Sequence, residues 1–347
     1  MSQLDAFIQK LGVAIAIISS LLLPACIPST TPSPDQLLFT PTEAAINTLT
    51  PKITPPTKTP TPSTTPASFL SSTPVKLVPA FDHIVMILLE NKEISTVIGN
   101  SQMKNFNRLA EENTLLTQHY AIMHPSLPNY LALVGGDTFQ ITQNCENCFI
   151  DARSLADEIE ESGRTWKTYQ EHMPEPCFIG STLRYVQKHN PFIYFNAIRL
   201  DQSRCQRSIV PLTELETDLT NNTLPNFVFI TPDLCHSAHD CDLKTVDEWL
   251  APWLEKLQNH PSLAKNSLII LTWDEGQGQH TCCDLPEGGG RVATILISPD
   301  GKKGFQDETL YTHYSILKTI LHAWDLPEIG HSADPQTNLI TAPWQQP

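Results

Sequence analysis

Four short stretches of the chain are apolar almost without interruption: His83-Ile-Val-Met-Ile-Leu-Leu89, Asn226-Phe-Val-Phe-Ile230, Ser267-Leu-Ile-Ile-Leu-Thr272 and Arg291-Val-Ala-Thr-Ile-Leu-Ile297. A strand with one wet face alternates polar and apolar residues, whereas a strand covered on both faces need not. The stretches therefore predict a mostly parallel central sheet with helices on both faces. Thr165-Trp-Lys-Thr-Tyr169 is a fifth candidate strand. Helical patterns lie between the runs, at 154–161, 246–257 and 315–324. Strand and helix alternate, so the expected class is α/β.

The N-terminal quarter is of a different kind. Between Pro28 and Pro79 there are 12 Pro, 13 Thr and 6 Ser, so 31 of 52 positions are of three types. Such a segment has too little apolar surface to bury a core and is expected to form an extended, disordered spacer. Upstream, Lys10 precedes the thirteen-residue apolar run Leu11–Leu23. That is short of the ~20 residues needed to span hydrocarbon. A charged flank and a short apolar run predict a secretory signal. The run ends in Leu23-Pro-Ala-Cys26, which resembles the lipobox of bacterial lipoproteins, where the Cys becomes the lipidated N-terminus. A plain signal peptide and an uncleaved anchor are the alternatives. The expected organisation is a signal at 1–26, a linker at 27–79 and one large domain at 80–347, on the outer side of a membrane and held there through Cys26.

From residue 81 onward, 18 Lys and Arg stand against 34 Asp and Glu. A domain of that sign does not neutralise a nucleic-acid backbone, which excludes nucleic acid as a partner. It favours cations, and holds an anion only where a metal or a local base masks the field. Beyond Cys26 there are eight cysteines, an even number that fits disulfides in an exported protein. The close spacings point to Cys145–Cys148, Cys177–Cys205, Cys235–Cys241 and a vicinal Cys282–Cys283. A zinc site using Cys145-x-x-Cys148 is the rival reading.

Three of the apolar runs lead into acids: Glu90-Asn91, Thr231-Pro-Asp233 and Trp273-Asp-Glu275. Ligands of open α/β sheets bind beyond the carboxyl ends of the strands, so these groups are expected to converge. Carboxylates and an Asn amide are hard oxygen donors, suited to Mg, Ca, Mn or a similar divalent ion. A second informative stretch is Ala121-Ile-Met-His-Pro-Ser-Leu-Pro-Asn-Tyr-Leu-Ala-Leu-Val-Gly-Gly136. Pro125 and Pro128 bracket Ser126, and a helix is predicted from Tyr130 to the stop at Gly135-Gly136. Ser126 is then placed just ahead of a positive helix end, where a phosphate oxyanion is stabilised. A metal beside it would lower the hydroxyl pKa and make it a nucleophile. A capping Ser in a proline turn is the structural alternative.

His124-Pro-Ser-Leu-Pro-Asn-Tyr-Leu-Ala-Leu133, together with Glu90-Asn91, Thr231-Pro-Asp-Leu-Cys-His-Ser-Ala-His-Asp-Cys241, Leu271-Thr-Trp-Asp-Glu-Gly276 and Thr312-His-Tyr-Ser-Ile-Leu-Lys-Thr-Ile320, resembles the phosphoesterase family. That family holds bacterial phospholipases C and acid phosphatases and is related to alkaline phosphatases. The resemblance spans about 81–330. It implies an alkaline-phosphatase-like fold and metal-dependent hydrolysis of phosphate mono- or diesters, including phospholipids. By the same resemblance Ser126 is the nucleophile, and Glu90, Asn91, Asp274 and Glu275 are metal ligands. Asn129 donates to a phosphoryl oxygen, and His239 and Asp240 lie in the pocket, with His239 as proton donor. His313 is a further candidate for that work. Two positions depart from the family pattern. Ser237 stands where Asp is frequent, and Asp233 stands where Asn is common, which raises the expectation of a second ion. Two alternatives remain. A sulfatase needs Arg four residues after its nucleophile, where this chain has Tyr130. A non-catalytic binding protein on the same scaffold is the other. No basic cluster adjoins Ser126 in sequence, which leans toward a diester or phospholipid substrate.

Overall fold

The computed structural model describes residues 76–345. The signal, Cys26 and the linker up to residue 75 lie outside the described residues. Val78 is already packed in the core, so the folded body starts slightly before the expected boundary at 80.

The first apolar run forms β1 (His83–Leu89), followed by α1 (Ile94–Val97), α2 (Lys104–Glu112) and β2 (Thr114–Tyr120). Next come α3 (Ser126–Gly135), α4 (Leu155–Glu161) and β3 (Trp166–Gln170). A long irregular segment with two short 3-10 turns, Gln187–His189 and Pro191–Tyr194, leads to α5 (Asn196–Arg199), α6 (Gln202–Ser208) and β4 (Ile209–Pro211). The chain continues through α7 (Thr213–Asn221), β5 (Phe227–Thr231), α8 (Leu243–Gln258), β6 (Ser267–Trp273) and β7 (Arg291–Ile297). It closes with β8 (Phe305–Asp307), β9 (Tyr311–Thr312) and α9 (His313–Ala323).

The nine strands form one sheet in the order β4-β3-β5-β1-β6-β7-β2-β8, with β9 also paired to β2. All five sequence-derived strands are present, and all pairings are parallel except those of β7, which runs antiparallel to both β6 and β2. Continuous apolarity reports burial on two faces, and a strand covered by helices shows it whichever way it runs. The pleat divides β1 between two cores. Ile84, Met86 and Leu88 pack with α3, α4 and α9 on one face, while Val85, Ile87 and Leu89 pack with α1, α2, α7 and α8 on the other.

Helix α3 starts at Ser126, four residues earlier than its sequence pattern indicates. Pro128 is no obstacle, because the amides of a first helical turn have no intrahelical acceptor to lose. The helix stops at Gly136, whose φ is +72°. A Cβ there would lie 2.3 Å from the Ile329 carbonyl oxygen, so only glycine fits. All four expected cysteine pairs form, and the bonding of Cys145 to Cys148 removes the zinc alternative for that motif.

Candidate active site

Strands β1 and β6 are adjacent and parallel, with Leu89 opposite Trp273. The next residues, Glu90 and Asp274, therefore leave the sheet side by side. Asn91 turns with φ of +59°, a left-handed conformation that Asn tolerates better than most residues. Its backbone N–H donates to Asp274 Oδ1 at 2.9 Å.

Each carboxylate is tied down through one oxygen and turns the other toward the site, where Glu90 Oε2 also accepts from Asn91 Nδ2 at 3.2 Å. Glu90 Oε1 accepts from the Tyr130 hydroxyl at 2.5 Å and lies 3.2 Å from His189 Nε2. Glu275 Oε2 is 2.5 Å from His124 Nδ1. With Asp274 Oδ1 held by Asn91, the oxygens left over are Glu90 Oε2, Glu275 Oε1 and Asp274 Oδ2. Ser126 Oγ meets the first at 3.1 Å and the second at 3.5 Å. Asp274 Oδ2 is buried and has no hydrogen-bond partner among the described residues.

The electrostatics follow from this crowding. Burial, together with Glu90 and Glu275, pushes the Asp274 carboxyl well above the usual carboxylate range. Burial raises Glu275 as well, against the pull of His124. Burial opposes ionisation of Glu90 too, but His189, Lys188 and Tyr130 outweigh it and bring the carboxyl down to about 2. Three carboxylates in a buried space, with one oxygen orphaned, fit a hard divalent cation. Glu90, Asn91, Asp274, Glu275 and the Ser126 hydroxyl are the groups that would hold it.

A cation of the protein's own completes the other side. Lys188 Nζ is 3.3 Å from Ser126 Oγ and 3.4 Å from His239 Nε2. His239 Nδ1 is 2.6 Å from Asp240 Oδ1. If Nδ1 donates to Asp240, Nε2 is left to accept from Lys188. The segment that carries both residues is closed by the Cys235–Cys241 bond and fastened to β1 by the Glu90 N–H donating to the Ser237 carbonyl at 2.8 Å. Ser237 thus serves through its backbone. Sequence reasoning missed Lys188, because it sits in the irregular segment after β3 with no periodic pattern around it. The length of that segment was the available signal.

Two expected contacts are corrected. Asn129 does not face a phosphoryl group: its Oδ1 accepts from the Ile122 and Met123 amides, and its Nδ2 donates to the Met123 and Pro125 carbonyls. It shapes the turn that presents Ser126. His313 has no exposed surface and its Nε2 bonds the Asp274 carbonyl oxygen at 2.5 Å. Burial lowers its pKa to about 4, so it is a neutral prop behind Asp274.

Asp233 is also not an open ligand. Glu171, Asp233 and His236 form the tightest group of potential ligand atoms among the described residues, all within 4.8 Å of one another. The protein's own charged groups and amides already surround them, although Asp233 Oδ2 makes ion pairs without a hydrogen bond. Asp233 Oδ2 lies 2.5 Å from Arg184 and 2.7 Å from His172, and Oδ1 accepts from the amides of Cys235 and His236. Trp249 Nε1 donates to Glu171 at 3.0 Å, and its ring stacks on His236.

The phosphoesterase family model matches residues 100–327. The chain belongs to the phosphoesterase family. It is 34% identical over 278 residues to an acid phosphatase of Aspergillus fumigatus, a match covering 76% of this chain and 60% of that protein. It is 29% identical to a phosphatidylinositol-3-phosphatase of Mycobacterium tuberculosis, covering 74% and 81% respectively. A solved structure in the alkaline phosphatase superfamily, from Vibrio parahaemolyticus, superimposes with a TM-score of 0.51 at 14% identity, covering 74% of this chain and 71% of that one. That likeness concerns the fold, and it agrees with the mostly parallel α/β sheet.

Proposed function

We propose that this phosphoesterase is an exported, metal-dependent phosphatase that acts through Ser126 and prefers monoesters. The observation that carries the reading is that the Ser126 hydroxyl faces Glu90 Oε2 and Glu275 Oε1 on one side, with the unpartnered Asp274 Oδ2 beside them at the sheet edge, and Lys188 on the other. A divalent cation held by Glu90, Asn91, Asp274 and Glu275 would neutralise phosphate charge and lower the pKa of the Ser126 hydroxyl. Ser126, its proton given up to solvent beforehand, attacks phosphorus in line, its oxygen forming a bond to phosphorus as the bond to the alcohol oxygen breaks. His239, held by Asp240 and carrying a proton on both ring nitrogens in the substrate complex, gives its Nε2 proton to the departing alcohol; it then takes one from the water that attacks phosphorus, and the Ser126 oxygen leaves as it began. Lys188 covers the additional negative charge that distinguishes a monoester from a diester, the charge the sequence alone left uncovered. The similarity to proteins named acid phosphatases favours the same substrate class.

Export is supported by the four disulfides, which persist in an oxidising compartment. Lipidation of Cys26 extends that reading to a membrane-tethered enzyme.

The direct test is a panel of p-nitrophenyl phosphate, bis-p-nitrophenyl phosphate and p-nitrophenylphosphorylcholine, with and without chelator. The expected result is fastest turnover of the monoester, lost on chelation and restored by a divalent ion. Full turnover after exhaustive chelation, or no turnover of any of the three, overturns the proposal.

A further inference from the structure

Beside the turn that presents Ser126, the carboxyl edge of the sheet opens into a pocket of about 500 Å³. Ile122, Met123, Leu285 and Tyr314 give it an apolar wall, continuous with a small hydrophobic cluster of their own. Met123 is three residues from Ser126, a reach of at most about 10 Å along the backbone. Neither Ser126, Lys188 nor His239 lines it, so it is a neighbour of the phosphoryl site and not part of it.

The charge of the pocket is one-sided. Asp284, Glu287 and Asp334 line it, and no Lys or Arg does. Its one cationic candidate, His331, is engaged by Asp334 at 2.7 Å. An anionic group is repelled there, while a neutral or cationic apolar body is not. The loop that carries Asp284, Leu285 and Glu287 is fixed at its start by the Cys282–Cys283 bond and by the Leu285 N–H donating to the Cys282 carbonyl at 3.1 Å. The wall is thus built before any ligand arrives, as in preformed small-molecule sites.

We propose that this pocket receives the alcohol portion of the phosphate ester, and that the preferred alcohols are aromatic or aliphatic bodies without negative charge. The inference rests on the phosphatase reading of Ser126 and adds a substrate class to it. The apolar wall binds the body of the alcohol, while Asp284 and Glu287 at the exposed rim exclude alcohols that carry a carboxylate or second phosphate.

The test uses the full chain and three monoesters: naphthyl phosphate, methyl phosphate, which has no body to reach the pocket, and 2-carboxyphenyl phosphate. Leu285→Trp narrows the pocket without touching the phosphoryl site. It is expected to lower kcat/KM for naphthyl phosphate about tenfold or more and leave methyl phosphate within about twofold. The exposed double variant Asp284→Asn, Glu287→Gln is expected to raise kcat/KM for 2-carboxyphenyl phosphate relative to naphthyl phosphate. Equal changes for naphthyl and methyl phosphate, or no change for either, overturn the proposal. Binding of free naphthol by equilibrium dialysis is measured in parallel on wild type and Leu285→Trp. If the wild type hydrolyses none of the esters, the phosphatase reading fails, and the dialysis still decides the pocket. Weaker naphthol binding by Leu285→Trp supports it, and equal binding by both proteins overturns it.

Discussion

Substituting Lys188 by Met is the sharpest probe of substrate charge. Met keeps much of the length and removes the cation; because Lys188 also offsets the buried charge of Glu90, folding is checked on the same preparation by its denaturant midpoint. The effect on catalysis is larger. Lys188 Nζ is 3.3 Å from Ser126 Oγ, so oxygens of a phosphoryl group attached there come within about 4 Å of it. At 4 Å one charge pair is worth about 4 kcal/mol at an effective dielectric of about 20. Partial exposure of the lysine reduces this toward the ~2.7–4 kcal/mol lost when one preorganised donor is removed from an oxyanion site. A monoester carries up to two negative charges on its free oxygens and a diester one, so the two substrates do not lose equally. The expected fall in kcat/KM is about 10²–10³-fold for p-nitrophenyl phosphate and about tenfold for bis-p-nitrophenyl phosphate. Lys188→Arg, which restores charge with different geometry, recovers part of the monoester loss. Equal losses on both substrates refute the assignment of Lys188 to the extra charge, and a monoester loss below about fivefold refutes its contact with the phosphoryl group.

Three other predictions can be checked separately. Asp274→Asn removes the orphaned carboxylate and should lower turnover at least about 10³-fold. In chelator it should raise the urea midpoint of the protein, because Glu90 and Glu275 lose a buried like-charged neighbour. A lower midpoint in chelator contradicts the crowding argument. The Glu171–His236 pair gives a stability signature in pH. Its bond to Glu171 raises His236 above 6.5, against burial, so this contribution is full below 6.5 and disappears as pH rises through the folded value. Burial opposes ionisation of Glu171, but His236 and the Asp233 amide lower its pKa below 4.5, so its share is full above 4.5 and disappears as pH falls through the folded value. His236→Gln should therefore lose most stability near pH 5.5 and least near about pH 9, read from denaturant midpoints. An equal loss at both pH values contradicts the assignment. Cys26→Ser should release the protein from membranes, and mass spectrometry of the membrane-extracted wild type should find a lipid on Cys26. A native N-terminus at Met1 contradicts lipidation.

The legible parts of the fold were those written in local pattern. The runs that became β1, β5, β6 and β7 announced themselves because both of their faces are buried, and the acids that follow β1, β5 and β6 marked the ligand edge. The direction of β7 was not legible, because burial is the same for parallel and antiparallel neighbours. Strand β2 was missed because Thr117 and Gln118 are only half-buried and interrupt its apolar run. At the site, Ser126 and the two acidic pairs were readable from motif and position. Asn129 and His313 lie in the same motifs, yet one holds a turn and the other props a backbone carbonyl. Motif membership does not distinguish a side chain that faces the substrate from one that holds its neighbour. Lys188 reaches Ser126 from a segment without periodicity, 62 residues along the chain. Only tertiary structure makes that contact visible.

The central claim is that Ser126 carries the phosphoryl group. Ser126→Ala removes one buried oxygen and its hydrogen bond to Glu90, and Pro125 and α3 hold the backbone regardless, so the protein should fold with a stability loss of no more than the ~1–3 kcal/mol of a buried acceptor left without its donor. Turnover of p-nitrophenyl phosphate by the same preparation should fall at least about 10⁴-fold, roughly 5.5 kcal/mol of barrier. Acid quenching of the wild type during turnover should yield a peptide with a phosphoryl group on Ser126. A folded Ser126→Ala protein that retains turnover within about tenfold of wild type, with no phosphorylated Ser126 peptide from the wild type, would contradict the account.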